Sequence, residues 1–498
     1  MTATRRAGAA GRDRGASGPP RGRLVVHGHF HQPPREDPFT GRVPREAGAA
    51  PHHDWNTRIA AECYRPLAAE GAFRRLSFDV GVPLADWLAA HEREVERALV
   101  DGDGAAPGGL ALAIPYHHTI LPLATIAERR TELRWGLRSF EARFGRPARG
   151  AWLPETAVDL ATLRLLADAG IEFTILAPWQ AEDEGLDTRR PYRVELGDGR
   201  ELTVVLYDAG ISGAVSFDPA ATADADRFAR DVVATRLAGT PFEDGTPGLV
   251  LVATDGELYG HHQPFRDLFL ARLLSIGTGG AGGGADAGRA AGAAGPDFEV
   301  AGLAAALDAS PRPFPAIRIR DRTSWSCHHG VARWGWECPD ARDGRWKAPL
   351  RAALARLAAG IDAVATARLA PAGIALEPLR DDYAEVLVDA ESSAAFAARW
   401  LPRRSPVAPE ELLALLEASR WRLAMFASDG WFWDDPLRLE TKGVLRAAAR
   451  AARLVDGLAG TGLERALRDD LSLVVSPSSR IDGAAIYRLA LEEVGQPG

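Results

Sequence analysis

Two acidic segments carry the residues best suited to chemistry. Ala151-Trp152-Leu153-Pro154-Glu155 places a carboxylate next to an indole. Thr254-Asp255-Gly256-Glu257-Leu258-Tyr259-Gly260-His261-His262 sets two acids and two histidines directly after the apolar run Leu249-Val250-Leu251-Val252. The face of a Trp is a platform for a sugar ring, and a carboxylate beside it can attack an anomeric carbon. The second segment is dense in titratable groups, the pattern found where pKa values are tuned for proton transfer. The structural duties open to the same residues are an N-cap by Glu155 on a helix beginning near Thr156, and an ion network over 254–262.

Histidines gather in two further places. His27-Gly28-His29-Phe30-His31-Gln32-Pro33 follows Leu24-Val25-Val26, and alternate histidines on one strand end share a face, which is costly to bury without polar partners. Pro115-Tyr116-His117-His118 also follows an apolar run, so both groups can converge on one cleft, where they could bind sugar hydroxyls or a metal. Cys327-His328-His329 with Cys338 lacks the C-x-x-C spacing of a zinc knuckle, and no metal is expected there. Trp325, Trp334, Trp336 and Trp346 suit a cleft wall or a domain seam, while Trp431-Phe432-Trp433, flanked by Asp429 and Asp434-Asp435, reads as an aromatic loop packed on helices.

These residues need rigid elements to aim them. The runs RLVVHGHFH, RLSFDVG, LALAIPYHH, RGAWLPE, EFTILAPW, GLVLVATDGE and AIRIRDRTSW read as buried strands, and helical patterns over 124–144 and 157–169 fall between them. Alternating strand and helix predicts an α/β fold with parallel pairing, in which functional groups collect at the carboxyl ends of the strands. YRVELGDGRELTVVLYD, with Gly197-Asp198-Gly199 between two alternating runs, predicts a hairpin beside the main sheet. From about Trp346 the pattern turns helical, over 350–370, 381–400, 409–427, 441–457 and 462–470. The expected organisation is a disordered tail over 1–22, a catalytic barrel over 23–345 interrupted by a flexible Gly/Ala insertion at 276–296, and a helical domain over 346–498.

Bulk properties narrow the partners. A net charge of −8, with no sustained Lys/Arg run in the folded part, disfavours nucleic acid. Three cysteines, Cys63, Cys327 and Cys338, do not form the framework of a secreted domain and point to a reducing, cytoplasmic setting. The Gly/Ala/Arg/Pro-rich start lacks the apolar core of a signal peptide or anchor, and no stretch approaches a membrane span. The expected partner is a neutral small or polymeric substrate, with no membrane, no nucleic acid and no cofactor; oligomeric state is not legible.

Taken in order, His29-Phe30-His31-Gln32-Pro33, Trp152-Leu153-Pro154-Glu155 and Asp255-Gly256-Glu257-Leu258-Tyr259-Gly260-His261 resemble glycoside hydrolase family 57, with its H-x-H-Q-P, W-x-x-E and D-x-E-x-x-G-H motifs. His118 through Leu123 is similar to the family's histidine-bearing second region, without the Gly-x-x-Glu form of some members. The resemblance spans the first two-thirds of the chain, and HDWNTRIAAECY, TSWSCHHGVARW and GWFWDDPLRLET suggest a bacterial subgroup with an uncharacterised C-terminal region.

It implies a (β/α)7 barrel followed by a mainly helical C-terminal domain, and a retaining mechanism on α-glucans by hydrolysis or 4-α-glucan transfer. Glu155 would be the nucleophile and Asp255 the acid/base. His29, His31, Gln32, His118, Trp152, Trp179, Glu257, His261 and Trp325 would contact the substrate. Asp255 must carry a proton when it acts as acid, so burial and its neighbours Glu155 and Glu257 are expected to raise its pKa. Two rival readings are a metal-dependent polysaccharide deacetylase or α-mannosidase-like hydrolase, and a non-catalytic glucan-binding protein.

Overall fold

The computed structural model describes residues 22–197, 199–276 and 298–492. The expected tail and Gly/Ala insertion lie outside these residues, apart from Gly22 and Ile276 at their borders. Ten strands are present among the described residues: β1 Gly22–Phe30, β2 Ser77–Val80, β3 Ala111–Leu112, β4 Gly150–Ala151, β5 Phe173–Leu176, β6 Tyr192–Gly197, β7 Arg200–Leu206, β8 Gly248–Asp255, β9 Phe298–Val300 and β10 Ala316–Ile317.

Seven of them run parallel in the order β8-β1-β2-β3-β4-β5-β7, with β3 and β4 joined through the Ala113–Ala151 bridge. The ring is closed where the Asp208 N–H beyond β7 donates to the Leu251 carbonyl of β8, 2.8 Å. This is the (β/α)7 barrel that the family resemblance implies, built from the parallel pairing that the alternation of elements predicts. The apolar runs are continuous because strands inside such a barrel are covered on both faces: Leu24 and Val26 pack outward against the helices, and Val25 packs inward with Leu249, Leu251 and Ala253.

Two expectations shift. The second arm of the hairpin, β7, is itself a barrel strand paired parallel to β5, and only β6 lies outside as an antiparallel flank. The run AIRIRDRTSW contributes just Ala316–Ile317, paired to β6 at the edge, because its arginines at 318, 320 and 322 sit exposed or half-exposed where a barrel interior could not solvate them.

Helix ends follow their caps. Thr125 and Glu128 form a capping box at the start of the helix Ile126–Phe144, and Gly145 in the left-handed region stops it. Asp159 caps the helix Leu160–Asp168 by accepting from Thr162 N–H. Glu155 therefore caps nothing.

From Lys347 to Glu492 the chain is helical, including helices Lys347–Leu369, Pro409–Ala424 and Leu439–Ala459. The stretch read as one helix over 381–400 is broken near Asp389, whose φ of 56° no helix accommodates, and a helix Gly483–Glu492 is added. These helices share a core with the barrel. The Trp135 indole N–H donates to the Arg380 carbonyl at 2.8 Å, and its ring meets that of Tyr383.

Candidate active site

The period of two along β1 sends His27 and His29 inward with Val25. Register then fixes their neighbours: His29 lies opposite Asp79 of β2 on one side and Asp255 of β8 on the other, and His27 lies opposite Ser77. Asp79 is fully buried and bridges both rings, 3.0 Å to His27 Nε2 and 2.8 Å to His29 Nδ1. His29 Nε2 stands 3.2 Å from His118 Nε2, and His118 Nδ1 stands 2.6 Å from Ser428 Oγ.

Charge orders this chain. Burial pulls the His29 pKa down, but Asp79, with Asp255 and Glu257 behind it, outweighs burial and raises it to about 9. Burial, with His31 and His29 as like-charged neighbours, holds His118 well below its ordinary value. His29 is thus the cationic donor and His118 the neutral acceptor.

His31 lies just beyond the strand. Its Nε2 is 3.1 Å from each carboxylate oxygen of Asp429, and its ring stacks on His118 at 3.7 Å and 9°. Burial pushes Asp429 up, but His31 and Arg35 hold its carboxylate below the usual range. Donor atoms of His31, His118 and Asp429 come close together. However, imidazole lone pairs lie in the ring plane, so two parallel stacked rings direct them side by side instead of converging on one ion. The arrangement suits a ring stack tied by Asp429.

Glu155 occupies the turn after β4 with φ 56° and ψ 21°, and Thr156 follows at φ 47°. Left-handed backbone at non-glycine residues costs about 1–3 kcal/mol each and collects at functional sites. The turn is held because the Trp325 N–H donates to the Glu155 carbonyl at 3.0 Å. Two donors from the same loop, Trp325 Nε1 at 3.0 Å and Ser326 Oγ at 2.7 Å, engage Glu155 Oε2. No hydrogen bond among the described residues engages Oε1. Burial raises the Glu155 pKa, Ser326 and Trp325 counter it, and the charge of Asp255 adds to the rise.

The burial expected for Asp255 is not observed: it is exposed at the end of β8, and its neighbour Glu257 is the buried acid. Glu257 Oε1 accepts from Tyr64 Oη at 2.6 Å and from the His31 backbone N–H at 3.2 Å. Burial lifts its pKa to about 7, against the Tyr64 bond and with the help of Asp255.

Other expected contacts fall differently. Trp152 is 0% exposed and lies against His27 and His29, with ring centroids 4.9 and 5.2 Å away, so it supports the histidines from inside and cannot be a sugar platform. Trp325, Tyr207 and Trp179 form the aromatic line instead, and Trp179 continues to His328 beside a cavity of about 530 Å³. His261 is engaged by Glu62 at 2.5 Å, and Gln32 accepts from Arg35 at 2.8 Å. A cavity of about 840 Å³ lies away from the acids, among Glu128, Arg351, Asp362 and Arg422.

Asp79, Tyr64, Ser326, Ser428 and Asp429 were not among the residues predicted to form the site. The strand end Ser77-Phe78-Asp79 carried a signal, an acid closing an apolar run. Ser428 and Asp429, by contrast, join the barrel histidines only through tertiary packing.

The barrel thus gathers Glu155, Asp255, Glu257 and a charged histidine relay at the carboxyl ends of its strands. Residues 111–275 match the model of glycosyl hydrolase family 57, and residues 343–494 match a domain of unknown function, DUF3536. The chain thus carries a glycosyl hydrolase family 57 domain over residues 111–275.

Among solved structures it is similar to an exo-type maltose-forming amylase from a Pyrococcus species, with 14% identity, TM-score 0.69, and 94% of this chain and 88% of that one covered. It is also similar to a branching enzyme of the family 57 type from Pyrococcus horikoshii, with 16% identity, TM-score 0.57, and 95% and 94% covered. A 4-alpha-glucanotransferase from Thermococcus litoralis aligns at 14% identity and TM-score 0.54, over 88% of this chain and 60% of that one. At these identities the likeness is one of fold. No curated protein sequence matches the chain.

Proposed function

We propose that this protein is a retaining enzyme acting on α-glucans, by hydrolysis or by 4-α-glucan transfer, with Glu155 as nucleophile and Asp255 as acid/base. The reading rests chiefly on one arrangement: a loop that clamps Oε2 of Glu155 through Trp325 and Ser326, while β-strand register puts Asp255 beside His29. Three solved relatives named as amylase, branching enzyme and glucanotransferase give the substrate class.

In the first step Glu155 Oε1 attacks the anomeric carbon as the glycosidic bond breaks, and Asp255 gives its proton to the departing oxygen. Asp255 then takes a proton from water or from a sugar hydroxyl, whose oxygen attacks the same carbon and releases Glu155. Cationic His29 offsets the negative charge of the two acids, and Trp325 with Trp179 offers faces to the glucan. A retaining pair calls for carboxyl groups about 5 to 5.5 Å apart when substrate is bound.

The metal-dependent alternative is disfavoured by how His31 and His118 are stacked. Three unpaired cysteines accord with a cytoplasmic setting. Purified wild type and Glu155→Ala, incubated with maltooligosaccharides and glycogen and resolved by chromatography, test the proposal. Shortened or redistributed glucans are expected from wild type only. Equal product from the variant would sink the assignment.

A further inference from the structure

The loop that clamps Glu155 runs on into two cysteines whose spacing gives no zinc knuckle, yet the fold closes them together. Cys327, His329, Cys338 and Asp340 form two pairs of the pattern cysteine, any residue, then histidine or aspartate. Their donor atoms all lie within 4.8 Å of one another. Cys327 Sγ to Cys338 Sγ is 3.4 Å, Cys338 Sγ to His329 Nδ1 is 3.9 Å, Cys327 Sγ to Asp340 Oδ2 is 3.7 Å and His329 Nδ1 to Asp340 Oδ2 is 3.1 Å.

Zinc bonds of about 2.3 Å to sulfur and about 2.0–2.2 Å to nitrogen and oxygen, at tetrahedral angles, set the expected edges. They are about 3.8 Å for S···S, about 3.6 Å for S···N and S···O, and about 3.4 Å for N···O. Each observed edge lies within about 0.4 Å of its tetrahedral value. Both thiols are buried, at 2% and 1% exposure, while His329 and Asp340 are exposed and leave a way in.

We propose that Cys327, His329, Cys338 and Asp340 bind one zinc ion as a structural site that fastens the nucleophile-clamping loop. Four protein ligands close the coordination sphere, as in structural and not catalytic zinc sites. The position gives the ion a task. Trp325 and Ser326, the two donors to Glu155 Oε2, immediately precede Cys327. On the far side, buried Lys347 opens the long helix Lys347–Leu369 and donates to the Arg333 carbonyl within the same loop, 2.8 Å. Backbone bonds tie Arg318 through Trp325 to neighbouring segments, but among the described residues those from Cys327 to Lys347 are all local turns, so no long-range backbone bond holds that part of the loop. A metal joining residues 327 and 338 supplies the missing constraint. On binding, each thiol loses its proton to solvent and the sulfur lone pairs go to the ion, with no redox change. The assignment does not depend on the glucan reading.

The test is elemental analysis of reduced, tag-free protein, together with cobalt(II) substitution. Wild type is expected to hold one zinc per chain, and the cobalt form should show thiolate-to-metal charge-transfer absorption. Cys327→Ser/Cys338→Ser should lose both signals. His329→Ala and Asp340→Ala change exposed side chains, so they should keep the far-ultraviolet dichroism of wild type while retaining zinc at least tenfold less well against a competing chelator. Reduced wild type with neither zinc nor a cobalt–thiolate band overturns the proposal. So does zinc that survives in the double cysteine variant and is lost from His31→Ala/Asp429→Ala.

Discussion

Ser326→Ala removes one of the two donors to Glu155 Oε2 and should be read in the pH profile, not only in the rate. The contact is 2.7 Å from the carboxylate proposed as nucleophile, a role that requires its ionised form. A hydrogen bond to a charged group is worth about 1.5–3 kcal/mol, which at about 1.36 kcal/mol per pH unit is about one to two units. Ser326 is exposed, so water can replace part of the loss, and a rise of about one unit in the Glu155 pKa is expected.

The sign follows from the role. The donor favours the ionised form, so its removal raises the pKa, and activity is lost at higher pH than in wild type. In kcat/KM against pH for a maltooligosaccharide, the acid limb should move up by about one unit while the plateau stays within a few fold. Trp325→Phe should move the limb in the same direction and also raise KM, because the indole is part of the aromatic line. An unmoved limb, or one displaced to lower pH, refutes the idea that this loop sets the charge on Glu155.

Three other outcomes follow from the same site. His29 has its pKa raised from 6.5 to about 9, so its contribution to stability is fully present below 6.5 and is lost as pH rises through 9. Unfolding by denaturant should show up to about 3 kcal/mol disappearing over that window, and Asp79→Asn should flatten this dependence. Glu155→Gly should abolish turnover yet melt at or above the wild-type temperature, because glycine relieves the left-handed turn by about 1 kcal/mol or more, whereas Glu155→Ala keeps the strain. Asp429→Ala should cost about 1.5–3 kcal/mol in unfolding free energy by leaving partly buried His31 without its acceptor. Removal of that contact should also lower kcat/KM.

The barrel was legible because its strands are apolar on both faces and end in polar residues, so the runs themselves mark where side chains such as His29, Glu155 and Asp255 emerge. The hairpin was misread in part because β7 alternates like a flank but is covered on both sides. Asp79 carried a local signal that a single acid does not make specific. Trp152 was expected in the cleft because an indole beside a carboxylate has the same sequence whether it faces sugar or backs a histidine; only its burial separates the two.

Ser428 and Asp429 could not be placed from the sequence, since they lie 310 and 398 residues from His118 and His31. Their meeting depends on how the helices pack on the barrel. The same holds for Cys327 and Cys338, whose spacing conceals a tetrahedral arrangement that appears once the loop is folded.

The most direct test of the central claim uses Asp255→Ala with an activated α-maltosyl fluoride. Fluoride departs without an acid, so the first step proceeds, and the missing base slows the second. Peptide mass mapping should then find a maltosyl ester on the peptide containing Glu155, and the released sugar should be the α-anomer. Turnover to the β-anomer without an adduct, or an ester on another residue, would contradict the account.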